Sequence, residues 1–548
     1  MIPEVFRNPI GHTVFQQRYM HDECETWERL AMTLAIQVCG DHLPEDIVKA
    51  IAHEIAMMRF IPGGRYLAYA GRPVKFFNNC YLLSALEDTR QDWAELSKKA
   101  ELCLTTGGGI GADYTIYRAA GELLKRTGGV SSGPIPKMKM VNDQGRWIKQ
   151  GGGRRAAIYA SLLHSHADIL DFLVAKNWHE MPVGNTGKTL FDIKQDDFDF
   201  PAPLDQTNIS VNYDTDWLMN LYKTGEYGDV FLKNCEQALT TGEPGFSFNF
   251  FDKETETLRN ACTEVTSSDD SDVCNLGSVN MSRIDSIEQF ATTVELGTMF
   301  LLCGTLVADL PYDKVRQVRE KNRRLGLGLM GVHEWLLKKG YRYEVVPELH
   351  DWLSVYEGVS NGTADSLADR LNISRPVAKR AIAPTGTIGM VASTTTGIEP
   401  VYAVAYKRRY LEGNKRKYQF VVDGAAEVMI KEGIPHDKIE GAIDLAADYE
   451  RRIKFQADVQ DYVDMGISST LNLPPSSVQI DPKEFAGVLS KYAPRLRGLT
   501  CYPDGARGGQ PLTSVPYEEA IGKIGVEHEE NTEWNDACDI RGGGFCGV

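Results

Sequence analysis

The chain has 548 residues, enough for one very large domain or three ordinary ones and for a sizeable core. Its content is 43% apolar and 24% charged, as in soluble globular proteins, and its formal charge of −16 argues against a nonspecific nucleic-acid binder, which needs a basic face. No uninterrupted apolar run of about 18 residues is present and the first residues lack an apolar signal core, so a cytoplasmic protein without membrane contact is expected.

The eleven Cys are scattered, with no Cys-x-x-Cys pair, so no zinc ribbon and no other metal site is expected. In a reducing compartment most are thiols, and any pairing is catalytic rather than structural.

Residues 1–70 form a predicted helical N-terminal region. Trp27, Leu30, Ala31, Leu34, Ala35 and Val38 recur at helical spacing within 24–40, and Ile47, Ile51, Ile55 and Met58 do so within 44–58. Phe76–Leu83 is β-prone and holds Cys80, which by itself reads as core packing. Residues 105–157 carry three Gly-rich runs: 106–111, 128–134 (including Ser131 and Ser132) and 150–155. Glycine lets the backbone approach a ligand, freed N–H groups cradle anions, and Arg154 and Arg155 can grip a phosphate. Three such runs favour nucleotide handling over plain turns, although none fits a Walker or dinucleotide template. A helix is expected over His164, His166 and Asp168. On a helix, residues two apart diverge, which excludes them as joint metal ligands.

Strands are expected at 204–211 and after Pro244. Residues 291–340 read as helical, including the run 325–331, with a solvated basic face over 314–324. Pro384-Thr385-Gly386-Thr387 sits where a strand, a tight turn and a helix start would aim N–H groups and hydroxyls at a phosphate, though an ordinary βα turn has the same form. Residues 467–474 and 499–505 read as strands. Beyond about 525 the chain turns acidic and then Gly-rich, with Cys538 and Cys546 bracketing three glycines. A flexible dithiol arm that reduces a disulfide by exchange explains that pattern better than a tail with incidental thiols.

The stretch Asn260-Ala261-Cys262-Thr263-Glu264 concentrates the chemistry. In an extended segment Asn260, Cys262 and Glu264 share one face. That places a thiol between an amide that can hold a hydroxyl and a carboxylate that can act as base. Cys274 follows twelve positions on. From the pentapeptide alone, a strand with one buried Cys and two exposed polar residues is the plainer reading.

Taken together, the ordered motifs resemble the catalytic subunit of ribonucleotide reductases. They are Asn79-Cys80, 128–134, 150–155, Asn260/Cys262/Glu264, Cys274–Gly277, Arg324–Gly331, Pro384–Gly389 and Ser469–Pro474, and the similarity runs from about residue 8 to the tail. The resemblance implies an α/β fold, a ten-stranded α/β barrel with a central finger loop at 71–525, followed by a redox tail at 526–548. It implies that Cys262 becomes a thiyl radical and takes the 3′-hydrogen of a ribonucleoside di- or triphosphate, that Glu264 takes the 3′-hydroxyl proton, and that Asn260 binds the sugar. Cys80 and Cys274 then supply reducing equivalents and end as a disulfide, which Cys538 and Cys546 reduce before renewal by thioredoxin or glutaredoxin. Asn79, Ser131, Ser132, Pro384, Thr385, Gly386 and Thr387 are implied substrate contacts. The loop Gln150, Gly151, Gly152, Gly153, Arg154, Arg155 is implied to report a bound dNTP or ATP effector, in a homodimer.

Class I members of that family receive the radical from a dimetal small subunit through two adjacent Tyr. Here the corresponding stretch is Cys501-Tyr502, with one Tyr. The resemblance therefore favours class II, with adenosylcobalamin as cofactor and a phage origin as one possibility (the protein then acting in host cytoplasm); a small-subunit partner is the alternative. No N-terminal ATP-binding cone and no dATP shut-off are expected. A non-radical thiol oxidoreductase and a nucleotide-binding protein are the readings from other classes. Cys262→Ser would leave the first partly active, and a turnover assay excludes the second.

Overall fold

The computed structural model describes residues 4–125, 128–148, 156–197, 200–412, 415–475, 478–506 and 512–529. Gln150, Gly151, Gly152, Gly153, Arg154 and Arg155, and the thiols Cys538 and Cys546, lie outside them.

The N-terminal region is helical, as its periodicity demands. Helix Trp27–Cys39 is capped by Thr26, whose hydroxyl accepts from Arg29 N, and it buries the six residues its spacing singled out. Helix Glu45–Ala56 opens on two acidic residues, which favour a helix N-terminus, and buries Ile51 and Ile55. Trp27 Nε1 donates to Ile55 O at 3.0 Å and ties the two helices together.

Among the described residues sixteen strands follow in chain order. They are β1 (Phe60–Pro62), β2 (Cys80–Ser84), β3 (Gly109–Asp113), β4 (Ile158–Leu163), β5 (Thr207–Tyr213), β6 (Gly245–Phe248), β7 (Leu258–Arg259), β8 (Thr266–Ser267), β9 (Asp272–Asn280), β10 (Leu325–Met330), β11 (Ala405–Glu412), β12 (Lys415–Val422), β13 (Thr470–Leu473), β14 (Gly498–Pro503), β15 (Leu512–Ser514) and β16 (Glu527–Glu529). Ten of them form one sheet, in the order β1-β9-β2-β3-β4-β5-β6-β14-β13, with β10 also on β9. β2 through β6 are mutually parallel. β9 with β10, and β13 with β14, are parallel pairs that run against them. Isolated parallel bridges join Leu327 to Arg380 and Ile382 to Ile467. β7 and β8 make a separate antiparallel pair, and β15-β11-β12-β16 make a second, four-stranded sheet.

Two large cores sandwich this frame. One packs the N-terminal helices, β9, β10 and the helices Ile287–Val307 and Pro347–Arg370. The other gathers the apolar side chains of β2 to β6 with the helices Arg90–Thr105, Asp229–Thr241 and Pro482–Tyr492. Among the described residues one helix, Ile287–Val307, is long and apolar enough to cross a membrane, but 67% of that apolar window is buried inside the protein.

Three local expectations are corrected. His164–Asp168 is not helical: it is the turn between β4 and helix Ile169–Leu173. There His164 Nε2 lies 3.0 Å from Asp214 Oδ1 and His166 Nε2 lies 2.8 Å from Tyr117 O. Leu325–Met330 is a fully buried strand rather than a helix. Arg323, with φ 45°, ends the preceding helix Asp313–Asn322, and alternating Gly is poor in a helix but tolerable in a strand packed close to its neighbours. The ribbon β11–β12 was not anticipated.

Candidate active site

Asn260 to Glu264 is not extended. It is the tip of the β7–β8 hairpin, and Thr263 there has φ 71°. A β-branched residue in the left-handed region is a genuine outlier, costing on the order of 1–3 kcal/mol, and such outliers collect at functional sites. The tip is held from several sides. Arg259 is fully buried, with Nε donating to Ser247 Oγ (2.7 Å) and Nη2 donating to Asn249 Oδ1 (2.9 Å) and Arg497 O (2.6 Å). Asn208 Nδ2 donates to Ala261 O at 3.0 Å, and Gly466 N donates to Glu264 O at 2.7 Å. Two glycines make room for it. A Cβ on Gly111 would lie 1.7 Å from Arg259 O, and one on Gly466 would lie 2.6 Å from Thr263 O.

Asn260 reaches both predicted chemistries. Its Nδ2 lies 3.3 Å from Cys80 Sγ, and its Oδ1 accepts from Val265 N at 3.0 Å. Glu264 is 1% exposed, and its Oε2 has no hydrogen-bond partner. Burial pushes this carboxyl up to about 7, while hydrogen bonding from Asn260 pulls the other way. Cys262, between them, is half-buried.

Cys80 on β2 and Cys274 on β9 are direct partners in the antiparallel register. Opposed residues of such a pair have Cα atoms about 4.5–5.5 Å apart, inside the range a disulfide spans. Both are buried thiols. Burial raises Cys80 to about 12, with the Glu264 charge adding to it, and burial also pushes Cys274 well up. Both therefore stand as neutral S–H groups near neutrality. Beside them a buried ion network fixes the hairpin's second strand. Asp272 Oδ2 accepts from Ser267 Oγ (2.7 Å), Asn322 Nδ2 (2.8 Å) and Arg324 Nε (2.7 Å), and Glu256 Oε2 accepts from Thr266 Oγ1 (2.9 Å) and from Arg497 Nη2 (3.1 Å).

A small cleft opens against Glu264. Asn79, Pro384, Thr385 and Thr387 line it, with Leu276, Gly277, Ala383 and Ile388 from in or beside the same motif stretches, and with Gly63, Gly64 and Ser278, which the sequence reading did not single out. Thr385 has φ 50° and opens the short helix Gly386–Ala392; its Oγ1 accepts from Gly397 N at 2.8 Å. Gly386 lies within this turn but does not line the cleft. Ser131 and Ser132 do not line it either. Ser131 belongs to a surface loop, where its Oγ accepts from Gly133 N at 3.1 Å, and Ser132 is exposed.

Ser278 was findable. Cys274, Leu276 and Ser278 share one face of β9 by the two-residue period. Gly63–Gly64, directly after β1, carries no comparable sequence signal.

Comparison with known proteins agrees with this geometry. The chain is 27% identical to the vitamin B12-dependent ribonucleoside-diphosphate reductase of Mycobacterium tuberculosis, in an alignment covering 96% of this chain and 83% of that protein. It is 25% identical to the protein of the same name from Thermoplasma acidophilum, covering 84% and 65%. It is 26% identical to a Mycobacterium phage D29 protein named as a candidate adenosylcobalamin-dependent ribonucleoside-triphosphate reductase, covering 78% and 71%. Residues 78–348 and 377–488, which include the finger, Cys80, Cys274 and the Pro384–Thr387 turn, match the family described as ribonucleotide reductase, barrel domain, and the chain belongs to that enzyme family.

Proposed function

We propose that the chain reduces ribonucleoside di- or triphosphates to 2′-deoxyribonucleotides for DNA precursor supply, by a radical carried on Cys262. The observation that carries this reading is convergence: stretches far apart in sequence bring Asn79, Glu264, Ser278 and Pro384–Thr387 to one cleft, with Cys80 set opposite Cys274 and within reach of Asn260. The phosphates lie toward the Thr385–Thr387 turn and the ribose toward Glu264.

As a thiyl radical Cys262 takes the 3′-hydrogen and later returns it. Glu264 accepts the 3′-hydroxyl proton, and Asn260 holds the sugar. The 2′-oxygen leaves as water, while Cys80 and Cys274 supply two electrons and two protons and end as a disulfide. Cys538 and Cys546 reduce that disulfide by exchange and are renewed by thioredoxin or glutaredoxin.

For the radical source we infer adenosylcobalamin, which supplies a carbon radical when bound. The residues fit such a cofactor. Cys262 keeps part of its surface at the finger tip while Cys80 and Cys274 are buried, so of these three thiols Cys262 is the one that a bound radical-generating cofactor would oxidise. Tyr502 stands beside the buried Cys501, where a two-Tyr relay would need a second phenol. Delivery from a small subunit is the second reading.

We further infer that the sheet closes into the ten-stranded barrel at 71–525, with β1 at 60–62 adding to it on β9 from outside those bounds. The bridges Leu327–Arg380 and Ile382–Ile467 lead from β10 toward β13, and Leu82, Leu258, Val265, Cys274, Leu276, Ala381 and Met465 form one small apolar cluster, as residues lining a barrel's interior would. A homodimer with effector reporting through Gln150–Arg155, and a cytoplasmic location, complete the reading.

Purified chain, CDP or CTP, a small dithiol and adenosylcobalamin test it. Cobalamin-dependent deoxynucleotide supports the whole reading. Product that needs an added metal-bearing subunit replaces the cofactor assignment, and no product under either condition overturns the function.

A further inference from the structure

A strongly basic ribbon stands out on a chain of net charge −16. β11 and β12 pair without a break from Ala405↔Val422 to Glu412↔Lys415. Over those residues the sequence carries Lys407, Arg408, Arg409, Lys415, Arg416 and Lys417 against a single acid, Glu412. The segment that follows Val526 is its complement: Glu527, Glu529, Glu530, Glu533, Asp536 and Asp539, with no Lys or Arg among them.

The two are already joined at one end. β16 lies on the outer edge of β12, in the antiparallel register Lys417↔Glu529, Tyr418↔His528 and Gln419↔Glu527. Lys417 Nζ is 3.0 Å from Glu527 Oε2, and Gln419 Nε2 donates to Glu527 Oε1 at 3.3 Å. Continued past Glu529, that register would set Glu530 opposite Arg416 and Asn531 opposite Lys415. Opposite charges across a strand pair are mutually stabilising. Ile521, Ile524 and Val526 leave an exposed apolar margin beside the same sheet, and the acidic run contains one large aromatic residue, Trp534.

We propose that the acidic stretch 530–539 docks on the basic ribbon 407–417 and stores the dithiol arm there between its visits to the cleft. This rests on the reading of Cys538 and Cys546 as that arm. Docking changes reach. From Glu529 a fully extended chain carries Cys546 roughly 60 Å; with 530–539 held on the ribbon the free length falls to about 25 Å. Exposed charges are screened beyond about 10 Å at 0.1 M salt, so the store is released by ionic strength.

The test is limited proteolysis of the full-length protein, following loss of 530–548 by mass. Two charge reversals are compared, K415E/R416E/K417E on the ribbon and E530K/E533K/D536K on the tail. Each is expected to speed tail cleavage on the order of tenfold at low salt, as loss of several exposed pairs would. Combining them restores the slow cleavage, and salt speeds cleavage of the parent. Reversed variants cleaved like the parent, or a combination no slower than either alone, overturn the proposal. The tail variant changes only residues beyond the described fold, so it still reports if the ribbon variant misfolds. The arm reading fails separately: if Cys538→Ser turns over equally with thioredoxin and with a small dithiol, the arm is wrong, while the proteolysis still decides the docking.

Discussion

In its proposed role as base, Glu264 is placed where folding and catalysis want opposite protonation states. Its carboxyl sits near 7 because it is buried, whereas its ordinary value is 4.5. The folded state therefore holds the proton more tightly than the unfolded chain does. The stability this contributes is complete below about 4.5 and is lost as pH rises through about 7, by roughly 3 kcal/mol in all. A base for the 3′-hydroxyl needs the ionised form, so turnover should rise through the same window in which stability falls. Glu264→Gln should remove both trends. Turnover with a small dithiol should drop by about 10²–10⁴-fold and lose its rising limb. Urea unfolding at pH 5 and pH 8 should give closer midpoints than in the parent. A parent pH–rate profile that is flat between 5.5 and 8.5 would remove Glu264 from the role of base. Asp272 poses a simpler case, because its charge is buried and paired with Arg324. Arg324→Met leaves that carboxylate without its cation and should cost about 3–5 kcal/mol in chemical denaturation. A loss below 1 kcal/mol would show that the network is not a structural clamp.

The finger hairpin shows what a sequence gives away at the level of an element. Its residue types are legible in the sequence: Asn260, Cys262 and Glu264 share the hairpin tip, and Cys274 stands opposite Cys80. Their arrangement was not. The two-residue period does not apply to 260–264, which is a turn pinned by the distant Asn208 and Gly466 and by the anchoring of neighbouring Arg259 on Ser247, Asn249 and Arg497, partners that no local pattern announces. Applied to β9 instead, the same period leads from Cys274 to Ser278 in the cleft wall. Leu325–Met330 alternates Leu with Gly, a two-residue pattern that marks a strand, but it follows directly on the helix Asp313–Asn322 and so reads as its continuation. The ribbon β11–β12 was overlooked although two runs rich in aromatic and basic residues flank Gly413-Asn414, a hairpin dipeptide. What local pattern missed, a single substitution can expose. Gly466→Val puts carbon where Thr263 O now sits, at 2.6 Å from the first added atom. It should displace the tip by about 1 Å and lower turnover about 10²-fold, while shifting stability by about 1–3 kcal/mol. Full turnover in Gly466→Val would mean that the tip does not need this support.

At the scale of the molecule, the proposed redox pair Cys80 and Cys274 sits at the seam between two sets of strands. β2 belongs to the parallel run β2–β6, β9 to the strands that oppose it, and Cys80↔Cys274 is one of the three residue pairs that join them there. Forming the disulfide would therefore rivet the two halves as well as record a turnover. The closed loop runs from residue 80 to residue 274. Chain-entropy estimates for a loop of that size give roughly 5 kcal/mol of stabilisation, an upper figure because strain at the seam subtracts from it. For a chain this long that corresponds to a rise of about 3–4 °C in thermal midpoint. Protein oxidised by one cycle of substrate should thus melt higher than the dithiol-reduced protein, and Cys274→Ala should melt alike under both conditions. The same comparison by urea denaturation separates loop entropy from a change in the compactness of the unfolded state, because only the latter alters the slope of the transition. Equal midpoints for oxidised and reduced parent, with the disulfide verified by mass, would mean that strain across the β2–β9 seam cancels the entropic gain. A strained bond of that kind is easier to reduce, which is what a disulfide opened at every catalytic cycle requires.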